Sequence, residues 1–282
     1  MVTICQTPNT SPVFPPKPTT YIFDMDGVVN LGDSPIPGAA DAISVLQRRA
    51  LVYFLTNNSS RSRAFYEEKL ARFGILTEQR FIYTSAYAAA LYLASQEGSG
   101  KTAFVVGEHG LAEELASAGI EPVTAAHSRP YTQIDYVVVG IDRAFTYDKL
   151  LYAHAALTRG HAQLIATNRD ATYPTEDGEI PGGGSIVAAV ATAAGREPLT
   201  IGKPEPFALQ LILTDADAKS TEAVMVGDRL DTDIAAGNHL DVATVLVLTG
   251  VTTRQMAENP PNPLWRPTRI VGTLAEILED VS

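Results

Sequence analysis

Residues 21–30 read YIFDMDGVVN. An apolar run, Tyr21-Ile22-Phe23, stops at two aspartates, Asp24 and Asp26, with Gly27 directly behind them. In an extended strand the side chains at i and i+2 share a face, so Asp24 and Asp26 converge on one site at the strand's carboxyl end while Met25 turns toward packing. Open parallel sheets bind ligands at that end, and a glycine lets the backbone turn sharply there. The tetrapeptide alone is equally compatible with a plain polar turn, so the other segments decide.

Outward from this stretch, apolar runs of four to seven residues alternate with amphipathic ones. TYIF, LVYFL, FIYT, TAFVV, YVVVG, QLIAT, AVMVG and ATVLVL are separated by patterns such as AADAISVLQRRA and SRAFYEEKLARFG. Continuous apolar strands between helices predict an α/β fold with largely parallel sheets covered on both faces. The runs near the charged strand ends and those in the middle, about residues 87–197, imply two α/β units. Residues 1–18, with five prolines, are expected to be an extended arm.

Composition limits the partners. A 45% hydrophobic, 19% charged chain of 282 residues is that of a globular protein, and its longest apolar stretches, such as YVVVGI (136–141), fall far short of a membrane span. The net charge of −11 disfavours nucleic acid and anionic membrane as partners. No basic region precedes an apolar one at the N-terminus, so a secretory signal is not expected, and Cys5, the single cysteine, fits a reducing cytoplasm.

Three further segments carry polar residues at the ends of apolar runs. FLTNNSSRSR (54–63) offers Thr56, Asn57 and the N–H groups of a following turn as a neutral anion cradle, or simply a helix cap. In TIGKPEPFALQ (200–210), Lys203 is pinned between Gly202 and Pro204 before a helix and is a candidate fixed cation. AVMVGDRLDTDIAAG (223–237) packs Asp228, Asp231 and Asp233 into six residues, a density that is unfavourable without a cation; hard oxygen ligands point to Mg²⁺.

Taken together and in this order, DMDGV, TNNS, GKP and GDRLDTD resemble the four motifs of the haloacid dehalogenase superfamily. Only 32 positions separate Asp24 from Thr56, whereas 146 separate Asn57 from Lys203, so any inserted domain lies in the middle. That placement resembles the branch of 4-nitrophenylphosphatase-like, phosphoglycolate, pyridoxal phosphate and sugar phosphate phosphatases, which carry an α/β cap between motifs two and three. GIDRAFTYDKL (140–150), IATNRD (165–170) and PGGGS (181–185) are also similar to that cap. The resemblance implies a Rossmann-like parallel core over 19–86 and 198–282 with a cap over 87–197.

It also implies roles. Asp24 would be the nucleophile that forms an aspartyl phosphate, and Asp26 the general acid and base. Mg²⁺ would be held by the side chains of Asp24 and Asp228 and the backbone carbonyl of Asp26, with Asp233 in support. Thr56, Asn57 and Lys203 would hold the phosphoryl oxygens of a small phosphorylated metabolite. A homodimer through the cap is consistent with the branch. The long polar loop 168–185 makes Tyr173, Glu176 and Asp177 the expected substrate-selecting residues. Two other functions stand beside hydrolysis: a phosphotransferase or phosphomutase using the same nucleophile, and a catalytically silent binding protein. Silent relatives would be expected to lose the nucleophile, the acid or the lysine, all of which are present.

Overall fold

The computed structural model describes residues 12–96, 100–175 and 178–281. The chain enters strand β1 (Thr20–Phe23), a two-rung hairpin of β2 (Asn30–Leu31) and β3 (Ser34–Pro35), helix α1 (Ala39–Gln47), β4 (Leu51–Thr56), α2 (Arg63–Arg72), β5 (Ile82–Thr84) and α3 (Ser85–Ser95). A middle segment follows with β6 (Thr102–Val106), α4 (His109–Ser117), β7 (Glu121–Val123), β8 (Tyr136–Val139), α5 (Tyr147–Thr158) and β9 (Gln163–Ala166). It continues through the hairpin β10 (Thr172–Thr175) and β11 (Gly178–Pro181), α6 (Gly183–Ala194) and β12 (Leu199–Thr200). The chain then returns through α7 (Phe207–Asp215), β13 (Ala223–Gly227), β14 (Ala243–Val247) and β15 (Arg269–Val271).

Two parallel sheets result. The first has six strands in the order β15-β14-β13-β1-β4-β5, and the second has five in the order β12-β9-β8-β6-β7. The eight apolar runs singled out in the sequence are all strands of these sheets, as parallel strands buried on both faces require. The fold is therefore α/β with parallel cores. Helix α1 shows why the intervening patterns became helices: Ala39, Ala42, Ile43 and Leu46 recur at helical spacing and are its buried residues.

Strand β1 lies at the centre of the six-stranded sheet, and its register positions the chemistry. Phe23 is level with Val226 of β13 on one side and Phe54 of β4 on the other. The residues just past those positions, Asp24, Asn57 and Asp228, therefore leave the same edge of the sheet on neighbouring strands. This is the edge where open α/β sheets bind ligands.

Helix α3 connects the two sheets. Its sequence SAYAAALYLAS buries Ala86, Ala88, Ala89 and Ala90, small side chains that allow close approach. One apolar cluster runs from Ile22, Tyr53 and Met225 of the first sheet through these alanines to Val105, Val138 and Ile165 of the second. Two details shift the boundaries expected from sequence. The 86/87 division falls inside α3, and β12, at residues 199–200, pairs with β9 and so extends the middle sheet past residue 197. A two-residue strand directly after Pro198 is too short to be read from an apolar pattern.

Of the expected N-terminal arm, residues 1–11 lie outside the described residues. Phe14 packs against the core and Pro15 is buried, so this part of the arm lies on the domain. Among the described residues no helix is long and apolar enough to cross a membrane.

Candidate active site

Strand β1 ends in a turn that fixes both aspartates of the opening stretch. The Asp24 N–H donates to Val226 O at 2.8 Å, which continues the sheet for one more residue. The N–H groups of Val28, Val29 and Asn30 all point back to Met25 O, at 3.2, 2.8 and 3.1 Å. Gly27 has φ +88°, and a Cβ there would sit 2.5 Å from Asp228 Oδ2, so both backbone conformation and space require glycine. Asn30 then donates from Nδ2 to Asp26 Oδ1 at 2.8 Å.

The sequence carries Lys203 across 179 residues to the same place. Its ammonium donates to Asp24 Oδ1 at 2.7 Å, Asp233 Oδ1 at 2.6 Å and Leu55 O at 3.1 Å. The lysine is 2% exposed. Burial alone would depress its pKa, but Asp233 and Asp24 outweigh that effect and hold it above the ordinary lysine range.

The acidic segment resolves into three different environments. Residues Leu230–Ile234 form a single π-helical turn, with Ile234 N–H bonded to Arg229 O at 3.2 Å. Asp233 turns inward, accepting from the Asp228 and Arg229 N–H groups at 3.1 and 3.0 Å. A Cβ on Gly227 would lie 2.1 Å from Asp233 Cβ, so only glycine lets the turn close this tightly. Asp231 turns outward to the Arg229 guanidinium at 3.4 Å, away from the cleft. Asp228 accepts from Val251 N–H on Oδ2 at 2.7 Å, while its buried Oδ1 has no hydrogen-bond partner.

Asp24, Asp228 and Asp233 each present a carboxylate oxygen within 4.8 Å of the others. Burial pushes the Asp24 carboxyl well above the usual carboxylate range, and Lys203 opposes that shift. Burial, then the charge of Asp233, pushes Asp228 up to about 7. A buried acceptor without a partner beside a second carboxylate is a costly arrangement that a hard divalent cation relieves. The donor set fits such an ion.

Asp26 is less enclosed. Burial raises its pKa against the pull of Lys69, Asn30 and Tyr173. Lys69 is itself a buried lysine on α2, donating to Gly32 O at 2.7 Å, and Asn30 Nδ2 reaches the same carbonyl at 2.9 Å. The β2–β3 hairpin is thus clamped from two sides beside Asp26.

The second motif is gripped by the middle unit. Thr56 Oγ1 accepts from Asn58 N–H at 3.1 Å, shaping the turn after β4. Asn57 Nδ2 is committed to Asp170, at 3.1 and 3.0 Å from its two oxygens, and to Lys203 O at 2.9 Å. Its carbonyl accepts from Ser85 Oγ at 2.6 Å and from Asn168 Nδ2. The Asn57 amide therefore joins the two units while the residue still lines the cleft. Tyr173 Oη accepts from Asn58 Nδ2 at 3.0 Å and donates to Asp26 Oδ2 at 3.3 Å. Glu176 and Asp177 lie outside the described residues.

The structure brings Asp24, Asp26, Thr56, Asn57, Lys203, Asp228 and Tyr173 to one small cleft with a volume of about 50 Å³, and Asp233 stands directly behind it. Asn30, Lys69, Asn168 and Asp170 are additional residues at the site. If Lys203 is what keeps Asp24 and Asp233 buried as carboxylates, Lys203→Met in chelator-containing buffer will lose about 3–5 kcal/mol of stability to urea. A loss under about 1 kcal/mol would mean that the carboxylates do not depend on it.

Comparison with known proteins gives the chain's family. Residues 21–121 match the model of the haloacid dehalogenase-like hydrolases, and residues 200–277 match a second model described as HAD-hydrolase-like. An acid sugar phosphatase of Staphylococcus saprophyticus is 36% identical over 93% of this chain and 97% of its own. A chloroplastic phosphoglycolate phosphatase of Arabidopsis thaliana is 37% identical over 87% of this chain and 72% of its own. The crystal structure of a glycerol phosphate phosphatase from Mycobacterium tuberculosis in complex with magnesium matches at 36% identity with a TM-score of 0.84, covering 94% of this chain and 78% of that one. The chain belongs to the haloacid dehalogenase-like hydrolase family, among its phosphatases.

Proposed function

We propose that the chain is a magnesium-dependent phosphomonoesterase that acts on a small phosphorylated metabolite through an aspartyl phosphate on Asp24. The observation that carries this reading is the meeting of Asp24, the buried Lys203 ammonium and the unpartnered Asp228 Oδ1 at the edge of one sheet. The magnesium-bound relative supports the choice of ion. The side chains of Asp24 and Asp228 and the carbonyl of Asp26 would hold the ion, with Asp233 fixing the turn that carries Asp228. When bound, magnesium neutralises charge that would otherwise keep a carboxylate and a phosphate dianion apart.

The protein's own groups supply the rest. An Asp24 carboxylate oxygen attacks phosphorus while the bond from phosphorus to the leaving oxygen breaks, and Asp26 gives that oxygen its proton. Asp26 then takes a proton from water, whose oxygen attacks phosphorus. The bond to Asp24 breaks, inorganic phosphate leaves and the carboxylate is restored. Lys203 and Thr56 hold the phosphoryl oxygens, charge stabilisation that a dry site makes more effective. The Asn30 bond holds Asp26 toward the leaving oxygen.

Two measurements test this. Hydrolysis of 4-nitrophenyl phosphate should require magnesium and stop in EDTA, and Asp26→Asn should lower kcat by ~10²–10⁴ with an unchanged melting temperature. An Asp26→Asn variant with near-normal kcat would remove the proton-transfer role. Independently of turnover, magnesium should raise the melting temperature of the wild type, equivalent to about 2.7 kcal/mol at a hundredfold excess over Kd. Asp228→Asn should lose that gain, and equal stabilisation of both proteins would place the ion elsewhere.

A further inference from the structure

Helix α2 buries Tyr66, Lys69 and Leu70, and the second of these is a cation. A lysine on the buried stripe of a helix stands where an apolar residue is the ordinary choice. Its ion-pair partner among the described residues is Asp33, at 3.5 Å, a carboxylate that is 88% exposed while the lysine side chain is 7% exposed. A buried ammonium paired so loosely lowers stability rather than raising it. A residue that breaks a packing rule without strengthening the fold points to function.

Both polar contacts of that ammonium fall on one turn. Lys69 Nζ donates to Gly32 O at 2.7 Å and faces Asp33, the next residue. The turn joins β2 and β3, two strands of two residues each, with Asn30 opposite Pro35 and Leu31 opposite Ser34. Leu31, Ser34 and Pro35 are exposed, and so short a hairpin has little stability of its own. Yet it carries Asn30, whose Nδ2 donates to Asp26 Oδ1 at 2.8 Å and to Gly32 O at 2.9 Å. Gly32 O thus receives Lys69 from α2 and Asn30 from β2, and contacts run unbroken from Lys69 through Gly32 and Asn30 to Asp26.

We infer that Lys69 is a positioning residue for the general acid: by pinning the hairpin turn from α2 it holds the Asn30 amide, and through it the Asp26 carboxyl, toward the leaving oxygen. This rests on the phosphatase reading above and deepens it. Lys69 does not line the cleft, so it acts through Asp26 rather than on the phosphate. Lys203 differs, since its ammonium bonds Asp24 directly. Proton delivery needs the acid within hydrogen-bond reach of the atom it protonates, and a misplacement of about 1 Å can cost ~10² in rate.

Such a role leaves a signature in the leaving group. A strongly basic leaving oxygen needs its proton as the bond to phosphorus breaks, whereas 4-nitrophenolate departs without one. Displacing Asp26 therefore slows esters of basic leaving groups most. A lysine that only supported the fold would, when replaced, slow every ester alike.

The experiment compares kcat/KM, which covers the steps through departure of the leaving group, for 4-nitrophenyl, phenyl and benzyl phosphate with magnesium. These are ring esters of rising leaving-group basicity. Lys69→Met should lower all three, and benzyl phosphate by about tenfold more than 4-nitrophenyl phosphate, with phenyl phosphate between them. Lys69→Gln is held to the same outcome, so a failure of Lys69→Met to fold leaves the test intact. In an Asp26→Asn background, where no acid remains to be positioned, replacing Lys69 should change the three esters by one common factor. A common factor for the three esters in the single Lys69 variants, unity included, overturns the inference. So does a split that persists undiminished in the Asp26→Asn background, because Lys69 would then act by another route. If the wild type hydrolyses the esters and either result appears, only the role of Lys69 falls. If it hydrolyses none of them, the phosphatase reading falls and takes that role with it.

Discussion

Lys203 Nζ sits between Asp24 and Asp233 at 2.7 and 2.6 Å, almost without solvent, and the cleft is organised around that contact. Three carboxylates cannot share a dry site unless positive charge accompanies them, because desolvation and mutual repulsion both favour protonation. The lysine supplies one positive charge and leaves one oxygen, Asp228 Oδ1, without a partner. On the proposed reading, that remaining deficit is what would draw a divalent cation, and then phosphate, to the site. An acidic chain can thus bind an anionic substrate because the favourable field is local.

The parallel sheet makes the convergence possible. Asp24, Asn57 and Asp228 leave adjacent strands at matched register, so their positions follow from backbone hydrogen bonds. The close approaches at Gly27 and Gly227 allow the loops carrying Asp228 and Asp233 to press against β1. A site built on rigid strand ends holds the spacing that in-line attack needs. The middle unit adds the opposite wall, and its contacts with Asn57, Asn58 and Asp26 join that wall to the residues closest to the chemistry.

Much of this was legible in the sequence, for identifiable reasons. The alternation of apolar runs and amphipathic stretches marked eight strands because parallel strands bury both faces. The i and i+2 spacing pointed to Asp24 and Asp26 at one strand end, although β1 stops at Phe23 and the turn closed on Met25 O is what brings both there. What the sequence hid was set by contacts between distant residues. Asp170 and Asn168 reach Asn57 across 113 and 111 residues, and no local pattern announces such a bond. The density of aspartates at 228–233 did not show which face the cleft, and one π-helical turn sends Asp231 out to Arg229. Asn57 had the residue type of an anion ligand, and nothing local showed that its amide also joins the two units. Nothing in the pattern around Lys69 announces that it is buried against the hairpin beside Asp26.

The central claim is that the Asp24 carboxylate, held by Lys203 at the end of β1, is the group that takes the phosphoryl. Acid quenching during steady-state turnover of phosphorus-labelled substrate, followed by peptide mapping, tests it most directly. The account predicts acid-stable, hydroxylamine-sensitive label on the peptide that carries Asp24, at Asp24 itself. Label on another residue, or turnover with no protein-bound label under conditions that preserve acyl phosphates, would contradict it.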